Sequence, residues 1–352
     1  MKIVSFLSCG LIPVFGILHL RSEADVIDYD LTPNLIDKFQ LWTRIYNIRI
    51  ENTEKYYEIY QKWMNNDKYI ERMNAMNLSY SLAHNQFSGM DEIEFRNYII
   101  KNDDFIHRKN GYSYVFNLFN NTLESLPSSV DWVSAGAVTN VKDQGQCGSC
   151  WSFSTTGALE GEYFIKHGEL VSFSEQQLVD CDNFKNGGKD HGCNGGLMDN
   201  AFSWIHKNGG LCQEVDYPYT SGNGQEGTCK KTCSLVKGSQ ISSFVDVVPS
   251  SDTEMMSALA RQPVSIAIEA DSRDFQLYKS GVFTSSTCGS NLDHGVLAVG
   301  YGTETGQNYY LVKNSWGTSW GENGYIKLGR GSQYNSGDGQ CGMLLEGSYP
   351  LL

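Results

Sequence analysis

The chain has 352 residues, 40% of them hydrophobic and 19% charged. That is the composition of a globular protein with length for two or three domains, not of a fibre or a disordered tail. Its formal charge of −13 argues against sequence-independent binding to nucleic acid or to an anionic membrane. The acidity lies mostly after residue 125, where 24 acidic residues face 14 basic ones, a balance that suits an acidic compartment.

Lys2 precedes a mainly apolar run, residues 3–20, and Ser22-Glu23-Ala24 offers small residues for cleavage. This reads as a secretory signal peptide over 1–24, with a membrane anchor as the alternative. No second apolar run of spanning length follows, so no stable membrane association is expected. Residues 25–100 read as helices. Thr32-Pro33 is a helix start, followed at helical spacing by Leu35, Ile36, Phe39, Trp42 and Tyr46. A second helix fits Tyr56, Tyr60, Trp63, Ile70 and Met73. Residues 101–125 are polar and Asn-rich and read as an extended linker. Asn77-Leu78-Ser79 and Asn120-Asn121-Thr122 are glycosylation sequons or unused tripeptides.

From Leu126 glycines become frequent and cysteines appear. The spacing predicts a helix over 149–167, closed by Lys166 and His167 ahead of Gly168. Gly157, Ala158 and Gly161 leave room for something to pack closely against it. Shorter helices fit 174–179 and 197–206. Residues 264–268, 295–299, 309–312 and 325–328 read as strands. Helices first and strands later predict an α+β fold with two lobes, whose cleft is the natural place for a ligand.

Cys150, in Gln144-Gly145-Gln146-Cys147-Gly148-Ser149-Cys150-Trp151, falls in the first turn of a predicted helix. The helix dipole and the unpaired N–H groups there favour a thiolate. A thiolate nucleophile needs a base, and His294 precedes a predicted strand. The base needs an orienting acceptor, which Asn314 can supply, with Trp316 shielding the bond from water. Each signal alone is ordinary, since a lone His or an Asn-Ser-Trp turn is more often structural. Cys147-Gly148-Ser149-Cys150 also admits a redox pair or half of a zinc site, but no βαβ pattern surrounds it and no second C-x-x-C exists.

Taken together, Cys-Gly-Ser-Cys-Trp, a His 144 residues after the cysteine and an Asn 164 residues after it resemble the papain family, the cathepsin L-like group in particular. Ser-Val-Asp-Trp (129–132), Gly-Cys-Asn-Gly-Gly (192–196), Gln-Pro-Val-Ser (262–265) and Asn-Ser-Trp-Gly (314–317) strengthen it. The resemblance implies a papain-like fold, with a helical left lobe and a β-barrel-like right lobe, preceded by a helical propeptide. It implies Cys150 as nucleophile in an ion pair with protonated His294, Asn314 as orienter and Gln144 as oxyanion-hole donor. It implies disulfides Cys147–Cys193, Cys181–Cys229 and Cys288–Cys341. Cys212–Cys233 then remains as an extra bridge, with Cys229 and Cys233 open to exchange. Peptides would lie along Gly195 and Gly196. The main specificity pocket would be lined by Leu197, Met198, Ala267, Leu292 and Glu346. Glu346 departs from the small neutral residue of typical cathepsin L-like enzymes and suggests acceptance of Arg beside Leu or Phe.

Residues 35–100 resemble the inhibitory propeptide of the same group. Trp63, Asn66, Ile70 and Asn74 match its helix motif, and Asn85 and Phe87 match a second one. Lys55, Ile59, Ala83 and Gly89 depart from these motifs, which leaves acid-dependent release in doubt. The resemblance implies three parts: 1–24 signal peptide, 25–125 inhibitory propeptide and 126–352 peptidase domain. Expected partners are protein and peptide substrates and the chain's own propeptide. No cofactor, no metal and no nucleic acid are expected, and the protein should be a monomer of the lysosome, vacuole or extracellular space. Rival readings are an inactive peptide-binding relative and a thiol–disulfide oxidoreductase using Cys147 and Cys150.

Overall fold

The structure, a computed structural model, describes residues 33–99 and 126–352. The expected signal peptide, the linker at 101–125 and the sequon at Asn120 lie outside the described residues.

Two helices open the described chain, α1 (Pro33–Ile45) and α2 (Thr53–Asn74). Asn52 caps α2, its side chain accepting from Lys55 N at 2.9 Å. Their apolar faces close on a small aromatic core of Phe39, Trp42, Tyr60 and Trp63. Strand β1 (Tyr80–Leu82) and helix α3 (Glu92–Ile99) follow. The strand is a departure from the all-helical expectation for 25–100. It forms because it pairs antiparallel with the edge strand β5 (Tyr278–Phe283), a long-range contact that local periodicity does not encode. Asn77 sits exposed in the turn before β1 with φ 50°.

After β2 (Val130–Asp131) the helical lobe holds α4 (Cys150–His167), α5 (Glu175–Cys181) and α6 (Met198–Asn208). They bury Trp151, Leu159, Phe173, Leu178, Phe202 and Ile205. Gly168 ends α4 in the left-handed region at φ 72°, and its N–H bonds Phe164 O. The second lobe contains β3 (Ser243–Asp246), α7 (Asp252–Leu259), β4 (Val264–Ile268), α8 (Arg273–Gln276) and β5. It continues with β6 (His294–Glu304), β7 (Gln307–Lys313), β8 (Tyr325–Gly329) and β9 (Gly347–Leu351).

The strand order is β1-β5-β8-β7-β6-β4-β9-β3, with β2 also paired to β6. This sheet is not closed, which corrects the barrel-like expectation. The outer edge of β5 is taken by β1, so the ladder ends on the N-terminal segment instead of returning to β3. The four bridges in the structure are Cys147–Cys193, Cys181–Cys229, Cys212–Cys233 and Cys288–Cys341.

The two lobes meet along α4 and β6. A Cβ on Gly157 would lie 2.7 Å from Leu297 Cδ2, and one on Gly161 would lie 2.5 Å from Pro263 Cγ. Glycine at these positions is what allows the sheet to approach so closely. Beside this seam lies a buried ionic cluster. Lys142 Nζ donates to Glu160 at 3.1 Å and to Glu175 at 2.5 Å. Glu160 also accepts from Thr139 Oγ1 at 2.7 Å and Phe173 N at 3.1 Å. Burial opposes the charge on Lys142, but Glu160 and Glu175 outweigh it and hold the ammonium above the ordinary lysine range. Lys313, buried nearby, is pushed down to about 8 by its burial.

Removing one member of such a cluster strands the others. Glu160→Ala should therefore cost about 3–5 kcal/mol of stability, read as a lower midpoint in urea unfolding. A shift worth less than about 1 kcal/mol, the size of a surface pair, would contradict this account.

Candidate active site

The site is assembled where the start of α4 faces the start of β6. Ser149 is the N-cap of α4 but makes no side-chain capping bond. Its Oγ lies instead 2.8 Å from Tyr219 Oη, whose own proton goes to Gln144 O at 2.8 Å. By contrast Ser174 and Ser251 cap α5 and α7 through their side chains. The first N–H groups of α4 are thus left for another acceptor, and Cys150 stands among them. Among the described residues Cys150 is the free cysteine. The backbone N–H groups of Gly295 and Trp151 lie near enough to favour negative charge on its sulfur.

The contact with Gly295 brings in His294. A Cβ on Gly295 would lie 3.3 Å from Trp151 N and Cα, so only glycine lets this strand reach the helix. His294 Nε2 donates to Asn314 Oδ1 at 2.8 Å. Trp316 stacks on the imidazole at 4.7 Å between centroids and 24° between planes, which keeps water from that bond. Asn314 Oδ1 also accepts from Ser315 N at 2.8 Å, so the amide is fixed before the histidine arrives.

Gln144 lies beside them, buried. Its Nε2 donates to Cys147 O at 2.9 Å, and its Oε1 accepts from Ser315 Oγ at 2.6 Å. Both bonds set which way the amide points and leave one N–H uncommitted. Ser315 and Tyr219 therefore support the site, and the sequence reading assigned neither a role. Ser315 could have been found through its place in the Asn314-Ser315-Trp316 motif. Tyr219 carries no local signal.

Residues 192–198 run beside Trp151, next to Cys150. Gly195 has φ 107°, in the region that favours glycine. A Cβ on Gly196 would sit 2.5 Å from the Trp151 ring. Met198 and Ala267 are buried in the core of the helical lobe, with Leu292 packed on its edge, and Leu197 lies half-buried just before α6. Ala267 N donates to Glu346 O at 3.0 Å, which places Glu346 beside this cluster. Its side chain is exposed. Although exposed at its surface, this carboxyl is crowded closely enough by protein that partial desolvation, reinforced by Asp199, raises it above its ordinary range. Glu346 also acts on Asp246, whose carboxyl is pushed up to about 7 by burial, Asp199 and Glu346 in that order.

Burial works against one expectation. The helix start was expected to depress the thiol, yet Cys150 is raised to about 11. Burial is the largest cause. The N–H groups of Gly295 and Trp151 oppose it, and Asp293 adds to it. Burial likewise lowers His294 to about 4, against the support of Asn314. Cys150 is 5% exposed and His294 1% exposed, so in this state burial weighs against charge on both. Residues of the N-terminal segment contribute to this enclosure. Phe87 and Phe95 pack edge-on against Trp316 at 5.3 and 5.7 Å. Gln86 Nε2 donates to Trp316 O at 2.7 Å, and Tyr98 Oη donates to Gly145 O at 2.6 Å.

Alkylation of Cys150 in the full chain should therefore climb about tenfold per pH unit from roughly pH 7 to pH 10, following the thiolate fraction. Iodoacetamide labelling quantified by mass spectrometry measures it. A rate already on a plateau at pH 5 would mean that the sulfur is ionised in this state.

Residues 126–351 match the family described as Papain family cysteine protease. Cysteine proteinase RD21A of Arabidopsis thaliana is 45% identical over 300 residues, covering 85% of this chain and 61% of that protein. The chain thus spans less than two thirds of that relative's length. The KDEL-tailed cysteine endopeptidase CEP2 of the same plant is 45% identical over 307 residues, 86% of this chain and 81% of that one. The crystal structure of the Amb a 11 cysteine protease of ragweed pollen, in its proform, superposes with a TM-score of 0.81 at 36% identity and covers 91% of this chain and 95% of that one. The fold, the groove and these likenesses agree, and the chain belongs to the papain family of cysteine proteases.

Proposed function

We propose that the chain is the autoinhibited precursor of a cysteine endopeptidase with Cys150 as nucleophile. The observation that carries the reading is the fixed line of groups from Gln144 through Cys150 and His294 to Asn314. With its Nε2 proton committed to Asn314, His294 keeps Nδ1 as the basic nitrogen for the thiol. Once the groove opens to water, the burial cost falls and a thiolate–imidazolium pair becomes accessible.

The sulfur then attacks the scissile carbonyl carbon. The carbonyl oxygen becomes an oxyanion facing the free N–H of Gln144 and the backbone N–H of Cys150. Those donors favour the transition state because the charge forms only on attack. His294 protonates the leaving amine, and the C–N bond breaks to leave a thioester on Cys150. Water, deprotonated by His294, releases the acid and restores the thiol.

Residues 25–125 act as the inhibitor in cis, with the mature chain starting near Leu126. The contacts of Phe87, Phe95, Gln86 and Tyr98 around Trp316 and Gly145 support this. The kinship with a protease crystallised in its proform supports it too. Four disulfides and the leader-like residues 1–24 favour passage through the secretory pathway to a lysosome, a vacuole or the exterior. Among the described residues no helix is long and apolar enough to cross a membrane.

The full chain should not cleave short Phe-Arg or Arg-Arg peptides until residues 25–125 are removed, and re-adding that segment should suppress the activity. Cys150→Ala should show no cleavage in either form. Turnover near the wild-type level in that variant, measured with a fluorogenic peptide, would refute the assignment.

The Leu197, Met198, Ala267 and Leu292 surface suits an apolar side chain at the second residue before the scissile bond. Glu346 beside Ala267 suits an arginine there. Its raised carboxyl makes arginine acceptance strengthen as pH rises and the carboxylate forms. Glu346→Ala should lower the Arg-to-Phe ratio of kcat/KM by about tenfold, the worth of one charge-assisted bond. An unchanged ratio would remove Glu346 from the pocket.

A further inference from the structure

Behind the glycine edge lie two carboxyl groups that the mechanism does not use. Asp182 and Asp190 are 0% and 1% exposed. Asp182 Oδ1 accepts from Lys189 N at 3.1 Å. Asp190 Oδ1 accepts from Leu197 N at 2.9 Å and from Asn200 Nδ2 at 3.0 Å. The remaining oxygen of each, Oδ2, meets no N–H or hydroxyl donor. The two carboxyl groups act on each other, and with their free oxygens buried and without a donor they are accommodated together only with a proton between them.

The pair is built into the turn that carries the groove. A Cβ on Gly196 would lie 2.8 Å from Asp190 Cγ, and one on Gly188 would collide with Asp182 Oδ1. Disulfides tie Cys181 and Cys193, on either side of the pair. Between those ties the acid pair and a backbone bridge from Asn183 to Asp190 hold the turn in place.

We propose that Asp182 and Asp190, sharing one proton, are positioning residues that hold the Gly195–Gly196 edge in register for the substrate backbone, and that loss of the shared proton slackens this edge. The proposal rests on the reading that peptides lie along those glycines. The charged surroundings give the second carboxylate little help. Lys207 of α6 acts on Asp182. Lys189 and His191 lie in the same turn, and Glu226 reaches the position of a Cβ on Gly192. Asp180 of α5 is already taken up by Gln176, Tyr217 and Gly227. Burial pushes Asp182 up to about 6. Burial and then the charge of Asp182 push Asp190 well above the usual carboxylate range. Folded-state values raised in this way make the pair's contribution complete at low pH: Asp182 releases its proton as pH passes about 6, which leaves one proton shared, and the contribution is lost at the higher pH where Asp190 gives that proton up.

The test measures kcat and KM of the enzyme processed from the full chain, from pH 5 to pH 9, with hydrogen exchange at Leu197. Wild-type KM should rise about threefold to tenfold across that range, with a smaller change in kcat. In Asp190→Asn the amide donates to Asp182 without a titrating proton and still accepts from Leu197, so KM should stay near its acid-pH value throughout. In Asp190→Ala, KM should be raised at every pH and Leu197 should exchange faster. A wild-type pH profile of KM in Asp190→Asn overturns the proposal, and that variant decides the matter if Asp190→Ala fails to fold. Unchanged exchange in Asp190→Ala overturns the anchoring. Faster exchange with unchanged KM overturns the placement of substrate on the glycine edge, while leaving the assignment of Cys150 intact.

Discussion

The closeness of α4 to β6 governs the rest of the molecule. Cys150 on a helix and His294 on a strand are to come close together, and neither backbone bends to meet the other. Gly157, Gly161 and Gly295 remove the side chains that would hold the two elements apart. Ser154 Oγ to Val296 O at 2.7 Å and Ser265 Oγ to Ser154 O at 2.8 Å then stitch the seam with hydrogen bonds. The ionic cluster of Lys142, Glu160 and Glu175 sits at the same seam. Its charges are tolerated there because each is paired, and pairing fixes relative position more strictly than apolar contact does.

Much of this was legible in the sequence where the physics is local. The helix from 149 to 167 and the strand from 264 to 268 follow from spacing and caps, and they appear as Cys150–His167 and Val264–Ile268. Gly157 and Gly161 announced a close neighbour without naming it. The groups at Cys150, His294 and Asn314 were findable because their motifs are short and contiguous. What could not be read depends on partners far away in the chain. Strand β1 exists only because β5 offers an edge. Asp190 matters only because the fold returns Leu197 and Asn200 to it. The burial of the thiol could not be read for a similar reason: a helix terminus is visible in sequence, but the enclosure around it comes from the whole fold.

The N-terminal segment shows how motif departures can compensate one another. A Cβ on Gly89 would lie 2.8 Å from Trp42 Cη2 and 3.0 Å from Ile59 Cγ2. Ile59 and Gly89, two of the positions that depart from the related propeptides, are thus neighbours filling one space. Lys55, a third, pairs with Glu58 at 2.6 Å, and Lys62 links Glu58 to Glu94 of α3 at 2.7 and 2.5 Å. The segment grips the second lobe through neutral donors as well. Asp274 collects the hydroxyls of Tyr69, Tyr80 and Ser285 at 2.5, 2.7 and 2.5 Å. Asn85 Nδ2 donates to Gln276 O at 2.7 Å.

Strand β1 has a meaning for the life of the molecule after processing. While it is present, the backbone of residues 278–281 is paired on that flank. On the proposed reading it departs with residues 25–125, and a row of amide and carbonyl groups then faces water with nothing to match it, the kind of rim on which a foreign extended chain can assemble. On the same reading the N-terminal segment shelters a sticky border until it is removed, and its removal trades that shelter for access to Cys150. Among the groups left at that border, Lys279 is exposed, a charge of the sort that discourages a second copy from docking there.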